Sequence, residues 1–353
     1  MIESVSGIRQ ANTLESLRVM VTGANGFVGQ AFCTEAIRRG LHIRGATRLP
    51  CNLPAGADSI VVGAIDGETD WTEALCGSDV VIHLAARVHK VRDTAANPLP
   101  EFLQTNLHGT ENLAQQAAHA GIKRFVYVSS IKVNGESTSS TGVSSTNESG
   151  ELGVFTESVK PNPHDPYAIS KWQAELALQR VAQKTGLGIV IVRPPLVYGP
   201  RVKGNFVSLL KAIEKGIPLP LAGTHNVRSL IYVGNLVDAL IVCATHPSAA
   251  GQTYIVSDGE AVSTSVLIEK IAHSLERPNR SFYFPPGLLR AVAALSGRSD
   301  QVDKLFGSLL LSDRKIRNEL GWSPPYSLEQ GLRATADWYL AQRAAVGYNR
   351  ATL

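Results

Sequence analysis

Long hydrophobic runs are missing from this 353-residue chain. Its most apolar stretch, "PPGLLRAVAALSG" (285–297), is too short to cross a bilayer and contains Arg290, so no integral membrane segment is expected. That stretch reads instead as a core or lid helix. The N-terminal text "MIESVSGIRQANTLESL" is polar throughout and reads as neither a leader nor an anchor, so 1–16 is taken as a polar extension. Cysteine is scarce: Cys33, Cys51, Cys76 and Cys243 form no C-x-x-C pair and have no histidine at ligand spacing. This excludes a disulfide framework, argues against a metal site, and suits free thiols in a reducing cytoplasm. An excess of one charge is also lacking, because 34 basic residues stand against 30 acidic ones for a net +4. No dominant nucleic-acid footprint follows, although a phosphate-bearing ligand is compatible. No repeat or coiled-coil heptad is present.

What the chain does contain is 44% apolar residues against 18% charged, the balance of a folded globular protein rather than a disordered one. Short apolar strands alternate with helical text. "LRVMVTGANGFVGQAFCTEAIRRG" (17–40) reads as strand, glycine turn and amphipathic helix. Further strands are expected at 41–48, 59–65, 79–86, 124–130 and 187–195, with helices over 98–121 and from Tyr167 to about Thr185. Almost wholly apolar strands between helices imply a parallel sheet covered on both faces. Two segments break the rhythm. The Ser/Thr-rich stretch 136–150 reads as a mobile surface insertion, and beyond Pro194 prolines become frequent, as in a smaller second lobe. "SLIYVGNLVDALIVCA" and "GQTYIVSD" read as elements that return to the first lobe, so the boundary is expected to be discontinuous.

"TGANGFVG" places Gly23, Gly26 and Gly29 between the first strand and its helix. Glycines there let the backbone approach a pyrophosphate, whose charge then meets the positive helix N-terminus. Gly23, Asn25, Gly26, Phe27, Val28 and Gly29 are therefore assigned to a dinucleotide. An NAD site ordinarily has a carboxylate about 20 residues on, at the end of the second strand. Thr47 and Arg48 stand there instead, so NADP(H) is favoured over NAD(H), with Arg48 on the 2′-phosphate and Arg44 a weaker candidate.

Among nine tyrosines, only Tyr167 in "DPYAISK" has a lysine, Lys171, at the fourth following position. On a helix this puts both side chains on one face, one turn apart. Alone, the pair reads better as a chance neighbouring on a solvated helix than as an active site.

With "TGANGFVG", "DVVIHLAA", "FVYVSS", "YAISK" and "VRPPLVYGP" in this order, the chain resembles the extended short-chain dehydrogenase/reductases, and among them the nucleotide-sugar epimerases, dehydratases and reductases. The likeness runs from about Leu17 to Tyr339. It implies a Rossmann-type α/β fold, a doubly wound parallel sheet over 17–193 plus about 229–260, with a smaller, discontinuous C-terminal lobe from 194–228 and 261–345. It also implies a catalytic Ser–Tyr–Lys set. Tyrosine, with a pKa of about 10, is a poor base at neutral pH. A neighbouring ammonium from Lys171, together with the positive oxidised nicotinamide, is expected to favour the phenolate; Lys171 is also expected to bind the nicotinamide ribose, leaving Tyr167 as the proton donor or acceptor. Matching "VNG" (133–135) to the family's "VYG" makes Ser130 the hydroxyl on the substrate oxygen, with Ser129 the fallback.

Other positions carry over by the same resemblance. Leu84, Ala85 and Ala86 of "HLAA" lie beside the cofactor, while His83 reads better as a buried strand histidine. The family's third strand ends in Gly-Asp-Leu with the Asp on adenine. Here Ala64 takes that place with Ile65 beside the cofactor, so the contact is lost or passes to Asp66. Pro194 follows Arg193 in the segment passing the nicotinamide amide. Asn205 in "KGNF" and Arg228 in "RSLIYVGNLVDA" are expected on the UDP-sugar, and Lys304 is a stand-in for a second diphosphate arginine. A homodimer is usual for the family. The implied reaction is reduction of a UDP-4-keto-6-deoxy-N-acetylhexosamine at C4 for surface polysaccharide (O-antigen) synthesis. "IKVNGE" carries this reading, since epimerases usually have Thr or Ala near Lys132 and Tyr at Asn134. The alternative is a UDP-hexose or UDP-N-acetylhexosamine 4-epimerase retaining NAD. A dehydratase would want an acidic pair where Ile131 and Lys132 stand, and a non-enzymatic cofactor-binding protein would have little need of both Tyr167 and Lys171.

Overall fold

The computed structural model describes residues 17–88, 98–138, 153–285, 287–289 and 306–351, with 345–351 as backbone alone. The extension 1–16, most of the Ser/Thr-rich stretch, Lys304 and the larger part of 285–297 fall outside the described residues. In chain order the first lobe runs β1 (Arg18–Thr22), α1 (Phe27–Arg38), β2 (His42–Thr47), β3 (Ala57–Val61), α2 (Thr72–Leu75) and β4 (Val80–His83). Next come α3 (Leu99–Leu103), a single π turn (Gln104–His108), α4 (Gly109–His119), β5 (Arg124–Val128), α5 (Pro166–Thr185) and β6 (Gly188–Arg193). The second half contains β7 (Leu196–Tyr198), α6 (Asn205–Glu214), β8 (Leu219–Ala222), β9 (Arg228–Tyr232), α7 (Val233–Thr245), β10 (Thr253–Ile255) and β11 (Ala261–Val262). It closes with α8 (Thr264–Ser274), β12 (Ser281–Tyr283), α9 (Arg314–Leu320) and α10 (Leu328–Ala351).

Seven strands form one sheet in the order β10-β6-β5-β4-β1-β2-β3, every pairing parallel. Side chains alternate across each strand, and both faces are covered. Val19 and Val21 of β1 join Phe32 and Ala36 of α1 and Leu236 and Leu240 of α7. Met20, on the opposite face, joins Leu113 of α4 and Ala174 and Leu178 of α5. The strands are apolar at successive positions because neither face meets water. Two later elements also join this lobe: α7 packs on α1, and β10 extends the sheet beside β6.

The smaller lobe is built on a three-stranded sheet (β11-β9-β7) and a two-stranded one (β12-β8), with Phe206, Leu210, Ile268 and Leu332 in its core. The return to the large sheet therefore begins after Tyr232, since β9 pairs with β7 and β11.

Of the Ser/Thr-rich stretch expected to be a mobile insertion, only 136–138 fall within the described residues. These are anchored: Thr138 is buried, and its backbone N–H and hydroxyl both donate to the Ser308 carbonyl. Phe155, on the far side, exchanges backbone hydrogen bonds with Leu310 and Ser312. Hydroxyl-rich text looked solvent-facing, but these hydroxyls satisfy a buried backbone segment. Among the described residues, no helix is long and apolar enough to cross a membrane.

Candidate active site

Strand order reverses at β1, whose neighbours are β2 and β4, and ligands of open parallel sheets bind in the crevice at such a point. Two loops face each other there. Gly23 has φ +66°, and a Cβ on it would lie 2.9 Å from the Ala85 nitrogen. A Cβ on Gly29 would lie 2.1 Å from the Gly23 oxygen, so only glycine lets α1 start this close to β1. The first turn of α1 has neither a side-chain cap nor an acidic residue, and Asn25 and Gly26 are exposed beside it. Free N–H groups, a positive helix end and a cradle without Cβ atoms fit the pyrophosphate of a dinucleotide.

Thr22 fixes the opposite wall. Its hydroxyl accepts from the backbone N–H groups of Leu84 and Ala85, both at 3.1 Å. Its own proton then goes to His83 Nδ1 at 2.6 Å, which assigns His83 the Nε2–H tautomer, donating to Thr110 at 2.9 Å. Burial, with a smaller contribution from the Lys171 charge, pulls the His83 pKa down to about 3, so it is a neutral strand histidine.

At the end of β2, Arg48 is exposed. Arg44 is removed as a phosphate candidate because its guanidinium donates to the carbonyls of Glu73, Ala74 and Cys76 at the end of α2. Ala64 is exposed, and Ile65 is buried beneath the loop against Gly109. The Asp66 carboxylate accepts from the Glu68 N–H and the Thr69 hydroxyl, folding back on its own turn rather than reaching outward.

Helix α5 starts sharply because Asp165 caps it, accepting from the Ala168 N–H at 2.6 Å, and Pro166 occupies the first turn. One turn apart, Tyr167 keeps partial exposure while Lys171 is buried. Lys171 Nζ donates to the Val128 carbonyl at 2.8 Å and lies 4.5 Å from the Tyr127 ring centre and 6.0 Å from that of Tyr167. This bond ties α5 to the end of β5, two residues before Ser130. Ser130 is part-exposed, and its Oγ accepts only a long 3.3 Å bond from the Lys132 N–H. Ser129 is buried and donates to Glu175 at 2.5 Å, which leaves Ser130 as the hydroxyl able to meet a substrate.

Lys171 alone, without the oxidised nicotinamide that the expectation also invokes, does not lower the Tyr167 pKa. Burial, and secondarily the Asp165 carboxylate, hold the phenol above its ordinary value. Burial likewise pulls Lys171 down to about 7, with Glu175 opposing. Each group loses more by desolvation than it gains from the other at this separation.

Asn106 and Glu175 escaped the sequence reading. Asn106 lies in the π turn, where its Oδ1 accepts from the Arg87 N–H and its Nδ2 donates to the Arg87 carbonyl and to Ser170 of α5. A local change of helix type aims this side chain between two loops. Glu175 continues the Tyr167–Lys171 face by one more turn and takes a bidentate bond from Arg193, while Arg193 also donates to Asn134. Pro194 is buried, and its carbonyl accepts from the Ile131 N–H. In the smaller lobe, Asn205 is exposed at the start of α6 behind Gly204 (φ +69°). Arg228, part-buried, donates to the Gly307 carbonyl at 2.9 Å and feels the Glu136 charge.

Comparison with known proteins gives the family. Residues 19–257 match the model of the NAD dependent epimerase/dehydratase family. The UDP-glucose 4-epimerase of Vibrio cholerae is 38% identical over 325 residues, covering 91% of this chain and 95% of that one. The N-acetyl-alpha-D-glucosaminyl-diphospho-ditrans,octacis-undecaprenol 4-epimerase of Escherichia coli O157:H7 is 26% identical over 91% of this chain and 94% of that one. Among solved structures, MoeE5 in complex with UDP-glucose and NAD superposes with a TM-score of 0.70 at 26% identity, over 93% of this chain and 99% of that one. On these likenesses the chain belongs to the NAD dependent epimerase/dehydratase family of extended short-chain dehydrogenase/reductases.

Proposed function

We propose that the protein catalyses hydride transfer at C4 of a UDP-linked hexose, acting as a 4-ketoreductase on a UDP-4-keto-6-deoxy-N-acetylhexosamine. The observation that carries the site assignment is Lys171 anchored on the Val128 carbonyl, one helical turn from Tyr167 and beside Ser130. The dinucleotide, when bound, supplies the hydride. Gly23 to Gly29 hold its pyrophosphate, Leu84, Ala85, Ala86 and Pro194 line its nicotinamide half, and Lys171 takes the ribose. Ser130 hydrogen-bonds the sugar oxygen, and Tyr167 gives that oxygen its proton. Asn205 and Arg228 hold the UDP portion, where the planar guanidinium suits phosphate.

The reductive direction is supported by the end of β2, which carries Arg48 and no ribose carboxylate, as an exchangeable NADPH site would. Arg48→Ala is expected to weaken NADPH binding about tenfold, the loss of one charge-assisted contact, and to leave NADH within about twofold. Calorimetry on both nucleotides checks this, and equal losses would remove the 2′-phosphate assignment.

The relative at 38% identity supports a second reading, a UDP-hexose 4-epimerase. One assay separates the two. Purified protein is given UDP-glucose, UDP-N-acetylglucosamine or a 4-keto UDP-sugar, with and without NADPH or NADH. Stoichiometric consumption of reduced cofactor on the keto sugar is the reductase result. Interconversion of gluco and galacto sugars without net cofactor change would overturn it in favour of the epimerase.

A further inference from the structure

Lys132 stands two residues after Ser130, in the 3₁₀ turn Ile131–Val133 that follows β5. Its ammonium lies 2.5 Å from Asp165 Oδ2 and 2.9 Å from Glu136 Oε1. Asp165 is the residue that caps α5, so its two oxygens are divided between the helix terminus and this lysine. A carboxylate two residues before the proton-transferring tyrosine is an awkward neighbour, because a negative charge opposes formation of a phenolate. The serine or asparagine that could equally cap the helix would bring no such charge.

We propose that Lys132 is a positioning residue for Tyr167, cancelling the Asp165 charge at the foot of α5 and holding that carboxylate in its capping position. This rests on the reading of Tyr167 as the group that exchanges a proton with the sugar oxygen. Within the described residues, the other groups facing Tyr167 are Lys171 on its own helix and Tyr127 on β5. Glu136 lies beyond Lys132, and the Arg87–Glu101 ion pair lies beside Phe102, whose ring meets that of Tyr167 edge-on. Lys132 is paired directly with Asp165. The direction of the Tyr167 pKa agrees, since the Asp165 charge acts to raise it.

Ultraviolet difference titration with saturating NADP⁺ tests this, the Tyr167→Phe spectrum being subtracted so that one phenol is followed. Lys132→Met is expected to raise the apparent ionisation of Tyr167 by about one pH unit, the size of a single nearby charge effect. Asp165→Asn, which still caps the helix, is expected to lower it by a similar amount. The double variant should return to near the wild-type value, and Lys132→Arg should leave it in place. The ascending limb of the pH profile for sugar oxidation should move in the same directions. A Lys132→Met protein with normal thermal stability and NADP⁺ affinity but an unmoved titration overturns the proposal. Should that variant fail to fold, an Asp165→Asn protein whose Tyr167 ionisation does not fall overturns it as well. If instead Tyr167→Phe retains full turnover, the role of Tyr167 itself is what fails.

Discussion

Replacing Tyr167 by phenylalanine is expected to lower turnover about a thousandfold while leaving dinucleotide affinity within about twofold, the range for losing a positioned general acid. The substitution removes one oxygen and keeps the ring, so the edge-on contact with Phe102 at 6.3 Å survives and the start of α5 is undisturbed. The cofactor cradle depends on the glycine turn and the N-terminus of α1, elements the phenol does not help to build. Loss of chemistry without loss of binding is thus the signature, read from steady-state rates together with calorimetric nucleotide binding. The pH dependence has a definite sign. Reduction of a ketone needs the phenol, so its rate falls as pH rises through the Tyr167 ionisation, whereas oxidation of the alcohol needs the phenolate and rises. The cofactor-free protein strongly favours the phenol, because burial opposes the phenolate and Lys171 is itself pulled down to about 7. A bound, positively charged oxidised nicotinamide then adds the charge that Lys171 alone does not supply. Turnover persisting in Tyr167→Phe would assign proton transfer to another group.

The second large effect is structural. Glu175 and Arg193 are both almost entirely buried, with side-chain exposures of 0% and 5%. Two bonds join them, Ser129 donates a third to Glu175, and Arg193 reaches Asn134 with its remaining nitrogen. Glu175→Ala is expected to cost about 3–5 kcal/mol, because the guanidinium would stay buried without its counter-charge. Replacing both partners by methionine should cost much less, since no orphaned charge remains. Urea unfolding reads both variants, as a lower midpoint at unchanged slope. A Glu175→Ala cost below about 1 kcal/mol, the ceiling for an exposed pair, would mean that water reaches Arg193. Glu175 also has an electrostatic reach toward the site. Its charge opposes the burial that lowers Lys171, so Glu175→Gln should drop Lys171 further and weaken nucleotide binding at neutral pH.

The outline of the large sheet was legible in the sequence because its strands are apolar at successive positions, and local text alone shows that. The glycine turn was legible for a related reason: a strand, three spaced glycines and a helix are contiguous in the chain. Tyr167 and Lys171 could be paired because four residues on a helix are a local distance. Ser130 and Ser129 could be ranked only by likeness to relatives, and the deciding bond from Ser129 runs to a residue 46 positions away. Arg44 was retained as a phosphate candidate because nothing local revealed the helix end that occupies it. The bond from Thr138 to Ser308, about 170 residues on, was equally illegible in local text.

By itself, then, the sequence determined the fold class, the place of the glycine turn and the one tyrosine with a lysine a helical turn away. All three follow from periodicity, spacing and backbone geometry, which act over a few residues. Only the tertiary structure decided which charges meet. It pairs Lys132 with Asp165 and Glu175 with Arg193, and it buries the Tyr167 phenol so that Lys171 alone does not lower its pKa. Desolvation and Coulomb attraction depend on distance in space and on the water excluded between groups, and neither quantity is written along the chain.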